Sequence, residues 1–207
     1  MQGKLIILFG IDGSGKSTIL EMLKNSKINN TVYTSCLKNT VFEEELYQAE
    51  HKLHFSRRDV FSREFKHMLH IGSVIFNVYN NVLPILNSGK NVVLDRYAIC
   101  IKVFTDVFLK SSYGCLSNAL DCLPIPDLGI YFDIDIDTAT KRIHERNIKK
   151  RIQPHYSESK EALAMKQKAY EDIIPNEPYP IFKIDASQSV DEVYSSVYDL
   201  IKEVCVN

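Results

Sequence analysis

The chain has 207 residues, a length that suggests one compact domain. Hydrophobic residues make up 45% of it and charged residues 25%, close to the globular average, which excludes a mainly disordered, collagenous or coiled-coil chain. The 25 Lys and Arg against 26 Asp and Glu leave a formal net charge of -1, so no global basic field exists to hold long nucleic acid or an anionic membrane.

In chain order, the apolar run at residues 5–9 predicts a first strand that leads straight into a glycine-rich turn. The short stretch before it lacks the apolar region and cleavage site of a secretory signal, and the five cysteines form no CxxC pair. Both features lead us to expect reduced thiols and a cytoplasmic location.

Four further strands are predicted at residues 31–36, 91–94, 128–132 and 181–184. Phe61, Phe65, Met68, Leu69, Gly72, Ile75, Phe76, Tyr79, Val82, Leu83 and Leu86 recur every three or four residues and predict one long amphipathic core helix ending at Gly89. The uncharged stretch 68–89 within it raises the question of a membrane span, but His70, four Asn and Pro84 favour a buried helix. Near the C-terminus, Ser189 and Glu192 make a capping box ahead of a helix with an apolar face. Short strands alternating with helical segments indicate an α/β fold, a parallel sheet flanked by helices in one domain.

The strongest chemical signal is Gly10-Ile11-Asp12-Gly13-Ser14-Gly15-Lys16-Ser17, which matches GxxxxGK[ST] between a predicted strand and a helix. Glycines let the backbone wrap a phosphate, free amides at the helix start face its oxygens, Lys16 reaches the terminal phosphates, and Ser17 can ligate magnesium. A kinase, a GTPase and a motor all use this cradle. Outside the phosphate loop the chain has no NKxD element and no DxxG switch, which sets the GTPase reading aside. The third strand runs into Asp95-Arg96-Tyr97 at the carboxyl edge of the sheet, where such folds bind ligands. A carboxylate there can hold magnesium or its waters, and an arginine can grip a second phosphate.

At these residues the chain resembles the thymidylate kinase family of nucleoside monophosphate kinases. FGIDGSGKST (9–18), ILNSGKNVVLDRY (85–97) and IDASQSVDEV (184–193) carry the likeness, which runs nearly end to end. The resemblance implies a five-stranded parallel sheet of the P-loop NTPase fold, ATP and Mg2+ as cofactors, phosphoryl transfer to a nucleoside monophosphate with dTMP leading, and a homodimer. It also implies roles for residues. Gly10 to Thr18 would cradle the donor, Lys16 would steady the transferring phosphoryl, and Ser17 with Asp95 would hold the metal. Asp12 and Arg96 would meet the acceptor phosphate, with Tyr97 beside them. A lid at about 146–157 would supply a basic catalytic residue, Arg146 or Arg151, from KRIHERNIKKR, where Arg142 also lies; the alternative is a solvated basic helix end. Ser187 and Gln188 would pass beside the adenine.

The departures cluster on the acceptor side. Ser35-Cys36-Leu37-Lys38 stands where the family carries Arg-Glu-Pro-Gly. Counting back without gaps from Gly89 places His70 and Val74 where the family has a base-stacking Phe and a base-reading Arg. Cys100, Phe104 and Thr105 replace the family's Ser and Tyr-Gln pair. Arg57, Arg58 and Arg63 beside Phe61 and Phe65 are alternative sources of the phosphate grip and the stack. Two other readings therefore stay open: a kinase of the same fold with another small acceptor, and a non-catalytic nucleotide-binding protein with a closed acceptor pocket.

Overall fold

The computed structural model describes residues 2–26, 28–36, 41–54, 61–109, 118–151 and 153–206. Five strands, β1 (Leu5–Phe9), β2 (Thr31–Ser35), β3 (Asn91–Asp95), β4 (Leu128–Asp133) and β5 (Ile181–Asp185), form one parallel sheet in the order β2-β3-β1-β4-β5. β1 and β3 are buried at every position, and β4 at all but its last. That is why they read as continuous apolar runs and not as alternating ones. β5 is an edge strand, with Phe182 exposed.

The helices are α1 (Lys16–Lys24), α2 (Val41–Leu53), α3 (Arg63–Asn77), α4 (Leu83–Asn87), α5 (Ala98–Leu109), α6 (Ile136–Lys150), α7 (Lys160–Ile173) and α8 (Val190–Val206). α1 packs against α8, and α5 packs against both α7 and α3. The Ser189 capping box forms as expected: Ser189 N donates to Glu192 Oε2 at 3.0 Å and Glu192 N to Ser189 Oγ at 3.4 Å. Asp135 caps α6 by accepting from Thr138 N at 2.7 Å.

The long helix differs from its prediction in two respects. α3 starts at the Ser62 cap and joins α4 through a π-helical turn at Val78–Val82. Its apolar residues also divide between two faces. Of the predicted stripe only Val82 and Leu86 are buried, and Phe65, Met68, Phe76 and Tyr79 are exposed; Ile71, Val74 and Val78, outside that stripe, are the residues that join the core. The stretch Arg63–Asn87 is long and apolar enough to cross a membrane by length and composition. Its inner face is nevertheless spent on the core of the α/β sandwich.

The topology positions the site. Because β1 lies between β3 and β4, the turn after Phe9 emerges beside the end of β3, with Leu8 in register with Asp95. Two segments more than 80 residues apart in sequence thus share the carboxyl edge of the sheet, where open α/β folds bind ligands.

Candidate active site

The loop between β1 and α1 has the backbone that a phosphate cradle requires. Gly10 has φ 143° and Gly13 has φ 83°. A Cβ on Gly10 would stand 2.6 Å from the Phe132 carbonyl oxygen, and one on Gly13 would stand 2.6 Å from that of Ala139. Only glycine meets both demands. Gly15 caps α1 with no side-chain hydrogen bond, so the first amides of the helix keep their donors for an anion.

Lys16 folds back over this loop, its Nζ donating to Ile11 O at 2.7 Å and Ser14 Oγ at 2.8 Å. Burial, aided by the nearby Arg96 charge, lowers its pKa to about 8. The ammonium is therefore poorly solvated until phosphates arrive. Ser17 Oγ donates to Asp95 Oδ2 at 3.3 Å. Asp95 Oδ1 is buried and has no hydrogen-bond partner among the described residues. A hydroxyl beside a carboxylate with an unspent lone pair fits Mg2+, which takes one or two protein oxygens and completes its shell with phosphates and water.

Arg96, the residue after β3, sits in the left-handed region at φ 70°, a conformation that costs a non-glycine residue energy and recurs at functional sites. Its backbone N–H is held by Leu8 O at 2.9 Å, and its guanidinium donates to Asp12 Oδ1 at 2.6 Å. Asp12 Oδ2 accepts from Lys166 Nζ, which comes from α7. Burial alone would raise the Asp12 pKa, but Arg96, Lys166 and Lys16 outweigh it and hold the carboxyl well below the usual range. Arg96 is in turn held above its ordinary value, Asp12 overcoming the burial that would lower it.

Two cavities open on this cluster. The first, about 860 Å³, is lined by the loop residues from Asp12 through Thr18 and by Asp95, Arg96, Arg142, Arg146 and Gln188. The second, about 540 Å³, is lined by Gly10, Asp12, Arg96, His70, Phe104 and Lys166 among others. Asp12 and Arg96 belong to both. Ile11 lines neither cavity; it is buried and contributes its carbonyl to Lys16.

The remaining expected site residues divide. Arg142 Nη1 donates to Ala186 O at 2.9 Å, tying α6 to the loop after β5. Arg146 bonds Glu158 Oε1 at 2.6 Å, and Asn147 Nδ2 bonds Glu158 Oε2 at 3.2 Å. Arg151 instead ends α6 in a left-handed cap, exposed and outside both cavities. Ser187 is exposed, with its N–H on Asp185 Oδ1 at 2.9 Å, and only Gln188 of that pair lines the larger cavity. Tyr97 is buried away from both cavities, its hydroxyl donating to Pro124 O at 2.9 Å.

Around the smaller cavity, Val74 is fully buried and does not reach it, whereas Ser73 and His70 line it. Val74 lies with Ile71 and Val78 on the face packed into the core, so the straight count from Gly89, which pairs His70 with Val74, meets the cavity only at His70. Ser35 and Cys36 line neither cavity, while Leu37, Lys38, Arg57 and Arg58 lie outside the described residues. Arg63 does line the smaller cavity, its guanidinium 4.7 Å from the Tyr156 ring centre.

Two residues here escaped the sequence reading. His67 is buried and stacks on Phe104, ring centres 5.2 Å apart. Thr105 Oγ1 donates to Ile101 O, so it accepts from His67 Nε2–H at 2.6 Å, which fixes the tautomer. Burial lowers the His67 pKa to about 4, keeping the ring neutral. Lys166 was legible only as an oddity, a lysine in the apolar stripe Ala162, Leu163, Ala169, Tyr170 of α7.

Residues 9–197 match the family model described as Thymidylate kinase. The chain belongs to the thymidylate kinase family. It is similar to the thymidylate kinase of Ligilactobacillus salivarius (strain UCC118), at 26% identity over 97% of this chain and 98% of that one. It is similar also to that of Legionella pneumophila (strain Paris), at 28% identity over 98% of this chain and 96% of the relative. The solved structure of thymidylate kinase from Candida albicans matches with TM-score 0.73 at 19% identity, covering 98% of this chain and 92% of that one, and shows the shared fold. As a member of the family the chain is a nucleoside monophosphate kinase, a phosphotransferase that uses a nucleotide. The expected P-loop fold and five-stranded parallel sheet are borne out.

Proposed function

We propose that this kinase transfers the terminal phosphoryl group of ATP to the phosphate of a nucleoside monophosphate, with dTMP as the leading acceptor. The observation that carries the reading is the junction of the two cavities at Asp12 and Arg96. A donor seated in the phosphate loop and an acceptor seated in the smaller cavity present their phosphates to the same point, and catalysis of such transfer is mostly positioning and charge stabilisation.

In this reading the loop amides and Lys16 hold the donor phosphates, Lys16 exchanging Ile11 O and Ser14 Oγ for phosphate oxygens. Ser17 and Asp95 are the residues that would hold Mg2+. Held there, Mg2+ would supply charge neutralisation to the phosphates during transfer. Arg96 grips the acceptor phosphate, for which its planar fork is suited. The lid at about 146–157 closes over the transferring group, and Arg146 is its catalytic arginine, because it lines the donor cleft and Arg151 does not. Arg142 and Gln188 hold the nucleoside end of ATP, while Phe104 and His70 form the wall against the acceptor base.

A homodimer and a cytoplasmic location belong to the same reading. Phe65, Met68, Phe76 and Tyr79 supply an exposed apolar stripe along the long helix, and the described cysteines Cys36, Cys100, Cys122 and Cys205 are free. A second reading, another small phosphoryl acceptor, draws on one observation: Val74, at the counted place of the family's base-reading arginine, is buried, and Ser73 lines the cavity instead. A site that loses such a polar reader changes its discrimination strongly.

The test is magnesium-dependent ADP release from ATP with dTMP, dUMP, the other nucleoside monophosphates, thymidine and no acceptor, with products identified by mass. We expect dTMP to give the highest kcat/KM. A panel in which no nucleoside monophosphate stimulates release, although ATP binds, overturns the reading.

A further inference from the structure

Lys166 stands where packing alone would place an apolar residue. On α7 it lies between Leu163 and Tyr170, both buried, and it is itself 8% exposed. A buried ammonium loses several kcal/mol of hydration unless a counter-charge and hydrogen bonds replace it. Among the described residues its ion-pair partner is Asp12, and its Nζ lies 5.9 Å from the centre of the Phe108 ring. Asp12 is also the one acidic side chain among the described residues that line the acceptor cavity.

The carboxylate of Asp12 is therefore shared, Oδ1 with Arg96 and Oδ2 with Lys166. Sharing has a consequence for Arg96. A guanidinium that was the sole partner of a buried carboxylate would have to leave it unpaired in order to turn toward a phosphate, a loss worth several kcal/mol. With a second cation already in place, Asp12 stays paired while Arg96 moves.

We infer that Lys166 is a positioning residue of the acceptor site: by holding Asp12 it releases the Arg96 guanidinium to bind the acceptor phosphate. This rests on the reading of the smaller cavity as the acceptor site. It assigns the lysine no contact with the transferred group. Lys166 acts through Asp12, and its effect therefore depends on the charge of Asp12.

The experiment is a kinetic double-mutant cycle with ATP, Mg2+ and dTMP on wild type, Lys166→Met, Lys166→Arg, Asp12→Asn and the double variant Asp12→Asn/Lys166→Met. Lys166→Met is expected to lower kcat/KM for dTMP by up to about 10²-fold, with KM for ATP unchanged and Lys166→Arg recovering most of the loss. In the Asp12→Asn background, where no carboxylate needs a counterion, Lys166→Met should add less than about threefold. Wild-type kcat/KM in a folded Lys166→Met protein, or losses that multiply in the double variant, overturn the inference.

A second readout needs no turnover. With ADP occupying the phosphate loop, inorganic phosphate is titrated while the Arg96 side-chain Nε–H resonance, assigned with Arg96→Lys, is followed by NMR. Wild type should respond at a phosphate concentration about tenfold lower than Lys166→Met does. Equal responses overturn the inference. If wild type phosphorylates no nucleoside monophosphate, the functional reading fails, and this titration still decides the role of Lys166.

Discussion

The donor and acceptor halves of the site are built in different ways. The donor half is one contiguous loop, residues 10–18, with Asp95 and Arg96 brought alongside by strand order. Its work is done largely by backbone amides and by glycines whose φ values and close backbone contacts disfavour any side chain. The acceptor half draws side chains from α2, α3, α5, the lid and α7, spread along the chain from Gly10 to Tyr170. A site made of backbone must keep its residues together, whereas a site made of side chains can be assembled from any elements that converge. The first kind announces itself as a motif, and the second can change residue by residue without leaving one.

The sharpest way to break this comparison is Lys16→Ala. It should abolish measurable turnover, a loss of at least about 10³-fold, while circular dichroism and the melting transition show a folded protein. Appreciable turnover in that variant would mean that the loop amides suffice. Next in size is the lid. Arg146→Ala should lower kcat by roughly 10³-fold, the lower end for an arginine placed on a transferring phosphoryl. Arg151→Ala, at an exposed helix cap, should stay within about threefold, the range of an ordinary surface change. The reverse pattern would move the catalytic arginine to the end of α6.

Smaller but specific is the pH dependence of the donor half. Burial and the Arg96 charge lower Lys16 from its ordinary 10.5 to about 8 in the free enzyme. Raising the pH through about 8 therefore discharges the ammonium before ATP arrives. The ratio kcat/KM for ATP, which reports free-enzyme ionisations, should fall about tenfold per unit above that point. For stability the sign is opposite. Between about 8 and 10.5 the unfolded chain binds the lysine proton more tightly, so this group's contribution makes folding more favourable as pH rises. Bound phosphates should move the apparent value upward. An ATP profile flat from pH 7 to 10 would show that Lys16 keeps its charge in the free enzyme.

The smallest effect tests the register of α3. Val74→Ala should cost about 2 kcal/mol of stability, the worth of a fully buried valine, and leave KM for dTMP unchanged. Ser73→Val, one residue earlier, should alter KM for dTMP and not the melting temperature. If the two phenotypes exchange, the wall of the acceptor cavity has been placed one residue off.

Much of the fold and the donor site was legible in the sequence because both rest on local signals. Continuous apolar runs mark β1, β3 and β4, since a strand covered on both faces has no polar side to interrupt it. Ser189 and Glu192 mark the start of α8 because a capping box spans only four residues. Gly10 to Thr18 mark the phosphate loop, since its geometry admits few residue types.

Tertiary structure alone decided the rest. Whether an apolar residue of α3 faces the core or solvent depends on what packs against it: Phe65, in the predicted stripe, is exposed, whereas Ile71, outside it, is buried. Packing likewise decided that Val74 faces the core while Ser73 faces the cavity. Lys166 could be seen in the sequence only as a misplaced charge. Its reason is a carboxylate 154 residues away, brought to it by the strand order that sets β1 in the middle of the sheet.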